Sequence, residues 1–271
     1  MMKINTKKIP ESDYTIVGSD QVWKSLITKE NKLSYFLDFA EGTTRLSLAS
    51  SFGCNQWEED DDYTEKVKEC LTAFSAVSVR EPIGVEICRN TFGIDATCLV
   101  DPTIAWGNYD AFIKKQKKEQ IACFILNIDN PLFYKVVDGL VNKTQREALV
   151  LDYYAGSKYK YLKNSEKSPE RWLNEIYNSE FVITDSFHGV AFSILFKKQF
   201  FVVLANEKAF VRISSLLKKV GLEDRVISSL DDINNRLQDL LTPIDYRHVE
   251  IVLKKESLDY YNFVKSNIDN E

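Results

Sequence analysis

The chain holds two histidines, His188 and His248, so imidazole acid–base chemistry near neutral pH must fall to one of them. His188 lies in FVITDSFHGVAFSILF, Phe181 to Phe196, where an apolar run stops at Thr184-Asp185-Ser186 and a helical pattern begins around His188-Gly189. Such a junction places Ser186 to cap the helix. The backbone N–H groups of its first turn, Gly189 among them, form an anion site that the helix dipole reinforces. His188 at its mouth is suited to donate or accept a proton; the plainer role is a ring that only hydrogen-bonds and caps. His248, between Arg247 and Glu250, reads as a surface residue.

Three further loops carry polar chemistry. Arg80 follows a short apolar run in SVRE, Ser78 to Glu81; its guanidinium fork either grips a carboxylate or phosphate of a ligand, or closes an internal salt bridge to Glu81 or Asp101. GSDQVW, Gly18 to Trp23, offers a glycine for close backbone approach, and Ser19, Asp20 and Gln21 supply hydroxyl, carboxylate and amide groups suited to sugar hydroxyls. A helix cap by Ser19 or Asp20 is the equal alternative. Arg212 stands at what reads as another helix start, Arg212 to Val220, as a further cation for a basic pocket.

The elements that must position these residues alternate. Tyr14 to Val17, Thr44 to Gly53, Ala76 to Glu81 and Ala96 to Thr103 read as strands. A helical pattern runs through Val67, Leu71 and Phe74, and Pro82 opens another. After the lysine-rich KKQKKEQ, Lys114 to Gln120, read as a solvated helix end or linker, a second series begins. Its strands are Ile121 to Ile128, Ala148 to Tyr153, Phe181 to Asp185 and Phe200 to Ala205. Its helices are Leu132 to Lys143, Pro169 to Tyr177, Phe187 to Phe196 and Arg212 to Val220, and a long helix, Tyr246 to Asn267, ends the chain. Alternation of this kind implies largely parallel sheets with helices on their faces, and ligands bind such sheets beyond the carboxyl ends of the strands. The expected domains are residues 1–112, residues 113–250 and a C-terminal helix over residues 251–271.

Composition bounds the function. Among 271 residues, 35 Lys and Arg face 40 Asp and Glu, a formal charge of −5, which excludes a generic cationic nucleic-acid binder. The 44% of hydrophobic residues is ample for a folded core. Five cysteines, with no CxxC pair, suggest neither a disulfide framework nor a zinc ribbon, and no spaced histidine cluster suggests a metal site. No apolar run approaches the ~18 residues of a membrane span, and free thiols fit the cytoplasm.

Taken in order from about Tyr14 to Arg225, GSDQVW, YFLDFA (Tyr35 to Ala40), SLASSFG (Ser47 to Gly53), SVRE, LVDPT (Leu99 to Thr103), SPERWL (Ser168 to Leu173), FVITDSFHGVAFSILF and RISSLLKKVGLEDR (Arg212 to Arg225) resemble the polysaccharide pyruvyl transferase family. The resemblance implies an α/β fold of two Rossmann-like domains facing a cleft, GT-B-like, and transfer of a pyruvyl group from phosphoenolpyruvate to a sugar as a ketal. No further cofactor is implied. The family's FHG histidine falls on His188 and its SVRE arginine on Arg80, both associated with the donor. On this reading His188 is general acid or phosphate clamp, Arg80 the donor anchor, Ser186 and the Gly189 amide helix-end contacts, and Arg212 a second cation. The saccharide acceptor then meets Gly18, Ser19 and Gln21, with Asp20 as base.

Only thirteen residues precede Tyr14, fewer than the family carries before this loop. That leads to the expectation of a shortened first domain, an exposed sheet edge and a homo-oligomer. Two other functions remain open: a nucleotide-sugar glycosyltransferase of the same architecture, and a catalytically silent binder of anions or sugars.

Overall fold

The structure is a computed structural model and describes residues 11–25, 32–127, 129–151, 163–164, 168–204, 207–229, 231–232, 235–236, 238 and 241–268. The ends of three expected strands, Ile128, Tyr153 and Ala205, lie outside the described residues. Two compact units form: Met1–Trp106 with Leu253–Glu271, and Gly107–Val252.

In the first unit, β1 (Tyr14–Gly18), β2 (Thr44–Leu48) and β3 (Phe74–Ala76) pair in that order, all parallel, and β4 (Ser78–Val79) pairs with β5 (Thr97–Cys98). A parallel bridge between Ser50 and Val79 links the two groups. The single strand expected over Ala76 to Glu81 is therefore two short ones, broken at Val77. Buried serines span the break: Ser78 N donates to Ser47 Oγ at 2.8 Å and Ser78 Oγ donates to the Ser47 carbonyl at 2.6 Å. Hydroxyls satisfy backbone groups that an unbroken ladder would have paired. Helices α1 (Asp61–Thr72), α2 (Pro82–Ile87) and α3 (Pro102–Trp106) follow β2, β4 and β5. Asp60 caps α1 by accepting from Tyr63 N at 2.8 Å, and Pro82 fills the first turn of α2, where a missing N–H costs nothing.

Trp23 is buried in this unit's core, stacked on Phe36 with ring centroids 5.1 Å apart, and its Nε1 donates to the Tyr35 carbonyl at 2.9 Å. Much of the GSDQVW and YFLDFA pattern is thus packing: Trp23, Phe36, Leu37 and Ala40 are all interior.

The second unit holds one parallel sheet in the order β11-β10-β9-β6-β7-β8. Its strands are β6 (Gln120–Phe124), β7 (Glu147–Val150), β8 (Lys163–Asn164), β9 (Phe181–Thr184), β10 (Gln199–Val203) and β11 (Val226–Ile227). The chain winds from β6 to β8 in one direction and from β9 to β11 in the other, so its topological switch point falls between β6 and β9. Helices α4 (Pro131–Thr144), α5 (Pro169–Asn178), α6 (Phe187–Leu195) and α7 (Glu207–Val220) connect these strands. Ile121, Cys123, Val150, Ile183 and Phe201 pack from the sheet against Phe133, Val137 and Leu140 of α4. The central strands are apolar on both faces, as a sheet covered on two sides requires.

The lysine-rich segment is a strap rather than a helix. Asn174 Oδ1 accepts from Lys114 N and Asn178 Oδ1 from Gln116 N, each at 2.6 Å, fixing the segment along α5. Helix α8 (Tyr246–Ile268) closes the chain as expected. From Leu253 onward it groups with the first unit instead of standing apart. There Ser257 Oγ donates to the Ala105 carbonyl at 2.6 Å and Tyr14 Oη to the Ile268 carbonyl at 2.7 Å. No described helix is long and apolar enough to cross a membrane.

Candidate functional site

In the first unit the carboxyl ends of four strands converge on Arg80. Its backbone N–H donates to the Ser50 carbonyl at 3.0 Å, beyond β2. Its Nε donates to Glu81 Oε1 at 2.9 Å, its Nη1 to Asp101 Oδ2 beyond β5 at 2.9 Å, and its Nη2 to Asp20 Oδ1 beyond β1 at 3.3 Å. The guanidinium side chain is 2% exposed, and those of Glu81 and Asp101 are 4% and 1%. Arg80 thus forms the internal salt bridges that were the alternative to a ligand grip, with Asp20 as a third partner. Burial alone would lower its pKa, and the charges of Glu81 and Asp101 reverse that and raise it.

The GSDQ loop is built onto this hub. Gly18 takes φ +139°, and a Cβ there would meet the Leu48 carbonyl oxygen at 2.1 Å, so close pairing with β2 admits only glycine. Ser19 Oγ donates to Asp101 Oδ2 at 2.9 Å. Asp20 sits in the left-handed region at φ 58°, its carbonyl accepts from Ser51 N at 2.8 Å, and its side chain is 58% exposed. The Gln21 amide lies over Gly53, where a Cβ would come within 2.4 Å of its Oε1. Neither Ser19 nor Asp20 caps a helix.

In the second unit β9 delivers the FHG segment to the switch point between β6 and β9, where open parallel sheets bind ligands. Asp185, just past β9, reaches across it: its carboxylate accepts from Leu126 N at 2.6 Å and Asn127 N at 2.9 Å, beyond β6. Burial pushes its pKa up, against the pull of these backbone donors. Ser186 occupies the N-cap position of α6, but its hydroxyl makes no capping hydrogen bond, which corrects the role expected for it. Its backbone N–H donates to Thr184 Oγ1 at 3.0 Å, turning the chain into the helix. A Cβ on Gly189 would lie 2.2 Å from Thr184 Oγ1, so this glycine lets the first turn sit directly on the strand end.

His188, the second residue of α6, is half-buried with its ring edge-on to Phe187, centroids 5.5 Å apart. Among the described residues neither its ring nor the backbone N–H groups of His188 and Gly189 have a hydrogen-bond partner. The arrangement offers an imidazole and backbone donors to a ligand at the positive end of a helix.

Arg212 is not at a helix start: α7 begins at Glu207, because Glu207, Lys208 and Ala209 are good helix formers, and Arg212 sits half-buried a turn further in. His248 is exposed. A cavity of about 500 Å³ beside α5 and the strap is lined by Lys118, Arg171 and Glu175 among others. The buried Glu175 carboxylate there pairs with Lys118 and Arg171 and accepts a hydrogen bond from Gln120. Among the described residues no group of three or more His, Cys, Asp or Glu could hold a metal ion.

Sequence reasoning missed Asp185 as the clamp of the switch point and Asp101 as the anchor of the GSDQ loop. The only signal for either was an acidic residue directly after an apolar run.

Two solved structures share this architecture. The co-structure of S. aureus MnaA with UDP superposes with a TM-score of 0.58 at 11% identity, over 95% of this chain and 74% of that one. UDP-GlcNAc 2-epimerase from Methanocaldococcus jannaschii gives 0.51 at 13% identity, over 94% and 77%. At such identities the likeness concerns the fold, which is α/β with parallel sheets and GT-B-like, as expected. No curated protein matches the sequence. The family model described as Polysaccharide pyruvyl transferase matches residues 2–207, a span that takes in both the Arg80 hub and the His188 junction. The chain therefore belongs to the polysaccharide pyruvyl transferase family.

Proposed function

We propose that the protein transfers a pyruvyl group from phosphoenolpyruvate to two hydroxyls of a saccharide, forming a cyclic ketal and releasing phosphate. Family membership supports a transferase with a saccharide acceptor. The observation that carries the donor is the His188 ring, without a hydrogen-bond partner among the described residues, beside the backbone N–H groups of His188 and Gly189 at the sheet's switch point. A phosphate or carboxylate is the ligand that a helix N-terminus favours.

Imidazolium at His188 would give its proton to the methylene carbon of the enol ester, making a methyl group and leaving an oxocarbenium ion at the neighbouring carbon. One sugar hydroxyl adds there; the C–O bond to phosphate then breaks, and the second hydroxyl adds. Of the two hydroxyl protons, one leaves on phosphate and the other restores His188, so the balance closes. The α6 amides would hold the phosphate as negative charge gathers on it.

The test is to incubate the protein with phosphoenolpyruvate and galactose- or mannose-containing acceptors and follow phosphate and ketal by NMR. Both should appear together, and both should be lost in His188→Ala. Consumption of a UDP-sugar in place of phosphoenolpyruvate would overturn the reading in favour of a glycosyltransferase, and binding without product would leave a silent homologue.

A further inference from the structure

Helix α8 carries apolar side chains on two sides. From Leu253 onward it belongs to the first unit, where it buries Tyr260 at 8% exposure and leaves Leu258 and Tyr261 59% and 47% exposed. Ser257 Oγ donates to the Ala105 carbonyl at 2.6 Å, and this bond brings the next residue, Trp106, alongside the helix at 62% exposure. Large apolar and aromatic groups gathered in water mark a surface that meets something.

Lysines share this ridge. Spacings of three and four residues place Lys254, Leu258, Tyr261 and Lys265 in one line over about 16 Å of helix, with Lys255 beside it. All three lysines are exposed, and none forms an ion pair among the described residues. Between Lys254 and Lys265 one exposed carboxylate, Asp259, stands against them. The face is thus basic in a chain whose formal charge is −5.

Tryptophan and tyrosine join an apolar ring to a polar tip, and lysine joins an apolar stem to a charged head. Such side chains suit the boundary where lipid headgroups meet acyl chains. Anionic headgroups also supply the counter-charge that these lysines lack. A symmetric contact with a second copy would instead set the lysines against one another.

We infer that the outer face of α8, together with Trp106, docks the protein on the surface of an anionic lipid bilayer. Leu258, Tyr261 and Trp106 enter the headgroup layer, and Lys254, Lys255 and Lys265 face the lipid phosphates. The docking holds whichever donor and acceptor the enzyme uses.

The test is co-sedimentation of the full chain with vesicles of phosphatidylcholine alone and of an equimolar mixture of phosphatidylcholine and phosphatidylglycerol. The protein should pellet with the mixed vesicles and not with the neutral ones, and raising the salt to about 1 M should release most of it. A lysine near an anionic surface contributes about fivefold in affinity, so replacing Lys254, Lys255 and Lys265 together by Gln should lower binding at least about tenfold. The same replacement of Lys114, Lys115 and Lys117, exposed lysines of the second unit, should leave it within about twofold. Leu258→Ser with Tyr261→Ser should also weaken binding, and all these variants, changed at exposed positions, should melt with the wild type. Tryptophan emission should move to shorter wavelength on the mixed vesicles, and Trp106→Phe should abolish the shift. Failure to pellet with mixed vesicles, equal pelleting with neutral ones, equal loss in the two lysine triples, or a shift that survives Trp106→Phe would overturn the inference. So would a wild type that dimerises beside a Leu258→Ser, Tyr261→Ser variant that does not, which would give the face to a second copy.

Discussion

The Arg80 hub and the His188 junction both stand at the carboxyl ends of parallel strands, yet they are built in opposite ways. Around Arg80 four strand ends are pulled together by buried ion pairs, and the cation is consumed internally. Around His188 the strand end is held by Asp185 and Thr184, and the imidazole and the amides of His188 and Gly189 are left without partners among the described residues. Position at a strand end therefore does not by itself identify a ligand-binding group. What distinguishes the two is whether the protein has already satisfied the charge.

The sharpest way to break this comparison is to remove each centre in turn. His188→Ala should lower turnover on the order of 10²–10⁴-fold while leaving urea-denaturation stability within about 0.5 kcal/mol of the wild type. Arg80→Met should do the reverse to stability, lowering it by about 3–5 kcal/mol, because Glu81 and Asp101 are left as buried like charges. Equal stability losses at the two positions would erase the distinction.

Gly189→Ala sharpens the second region. The added methyl collides with Thr184 Oγ1, and a cost of about 1–3 kcal/mol is expected from overpacking, read as a fall in melting temperature. Thr184→Ala in the same chain should recover part of it, and no recovery would show that the glycine serves something other than close approach.

The smallest expected effect concerns Asp185. Its folded-state pKa lies above the ordinary 3.8 because of burial, so the folded protein binds this proton more tightly than the unfolded chain does. Stability linked to Asp185 is thus greatest below pH 3.8, falls as pH rises through the folded pKa, and is level beyond it. Asp185→Asn should lose this segment of the pH profile, measured as the difference in unfolding free energy between the two proteins from pH 3.5 upward. An unchanged profile would contradict the assignment.

How much of this was legible beforehand depends on sequence distance. The β9–α6 junction could be read because the pattern that marks it is local: an apolar run, a polar turn and a glycine within ten residues. The partners of Arg80 at Asp101 and Asp20 lie 21 and 60 residues away, so spacing left a ligand grip and an internal salt bridge equally open. Asp185 takes its partners from 58 and 59 residues upstream, and nothing near it announces that. The split between β3 and β4 was hidden for the same reason, since the serine that bridges it, Ser47, lies on another strand. Ser186 shows the converse limit: its residue type suits a cap, but its hydroxyl makes no capping hydrogen bond and its backbone N–H is taken by Thr184 Oγ1.

The division of labour between the two regions is tested most directly by calorimetric titration of phosphoenolpyruvate into the wild type, His188→Ala and Asp20→Asn. The account predicts that affinity falls at least about tenfold in His188→Ala, where a hydrogen bond to a charged ligand is lost. In Asp20→Asn it should stay within about twofold, since Asp20 belongs to the hub of the first unit and not to the helix that carries His188. Affinity that survives the loss of His188 and collapses with the loss of Asp20 would contradict it.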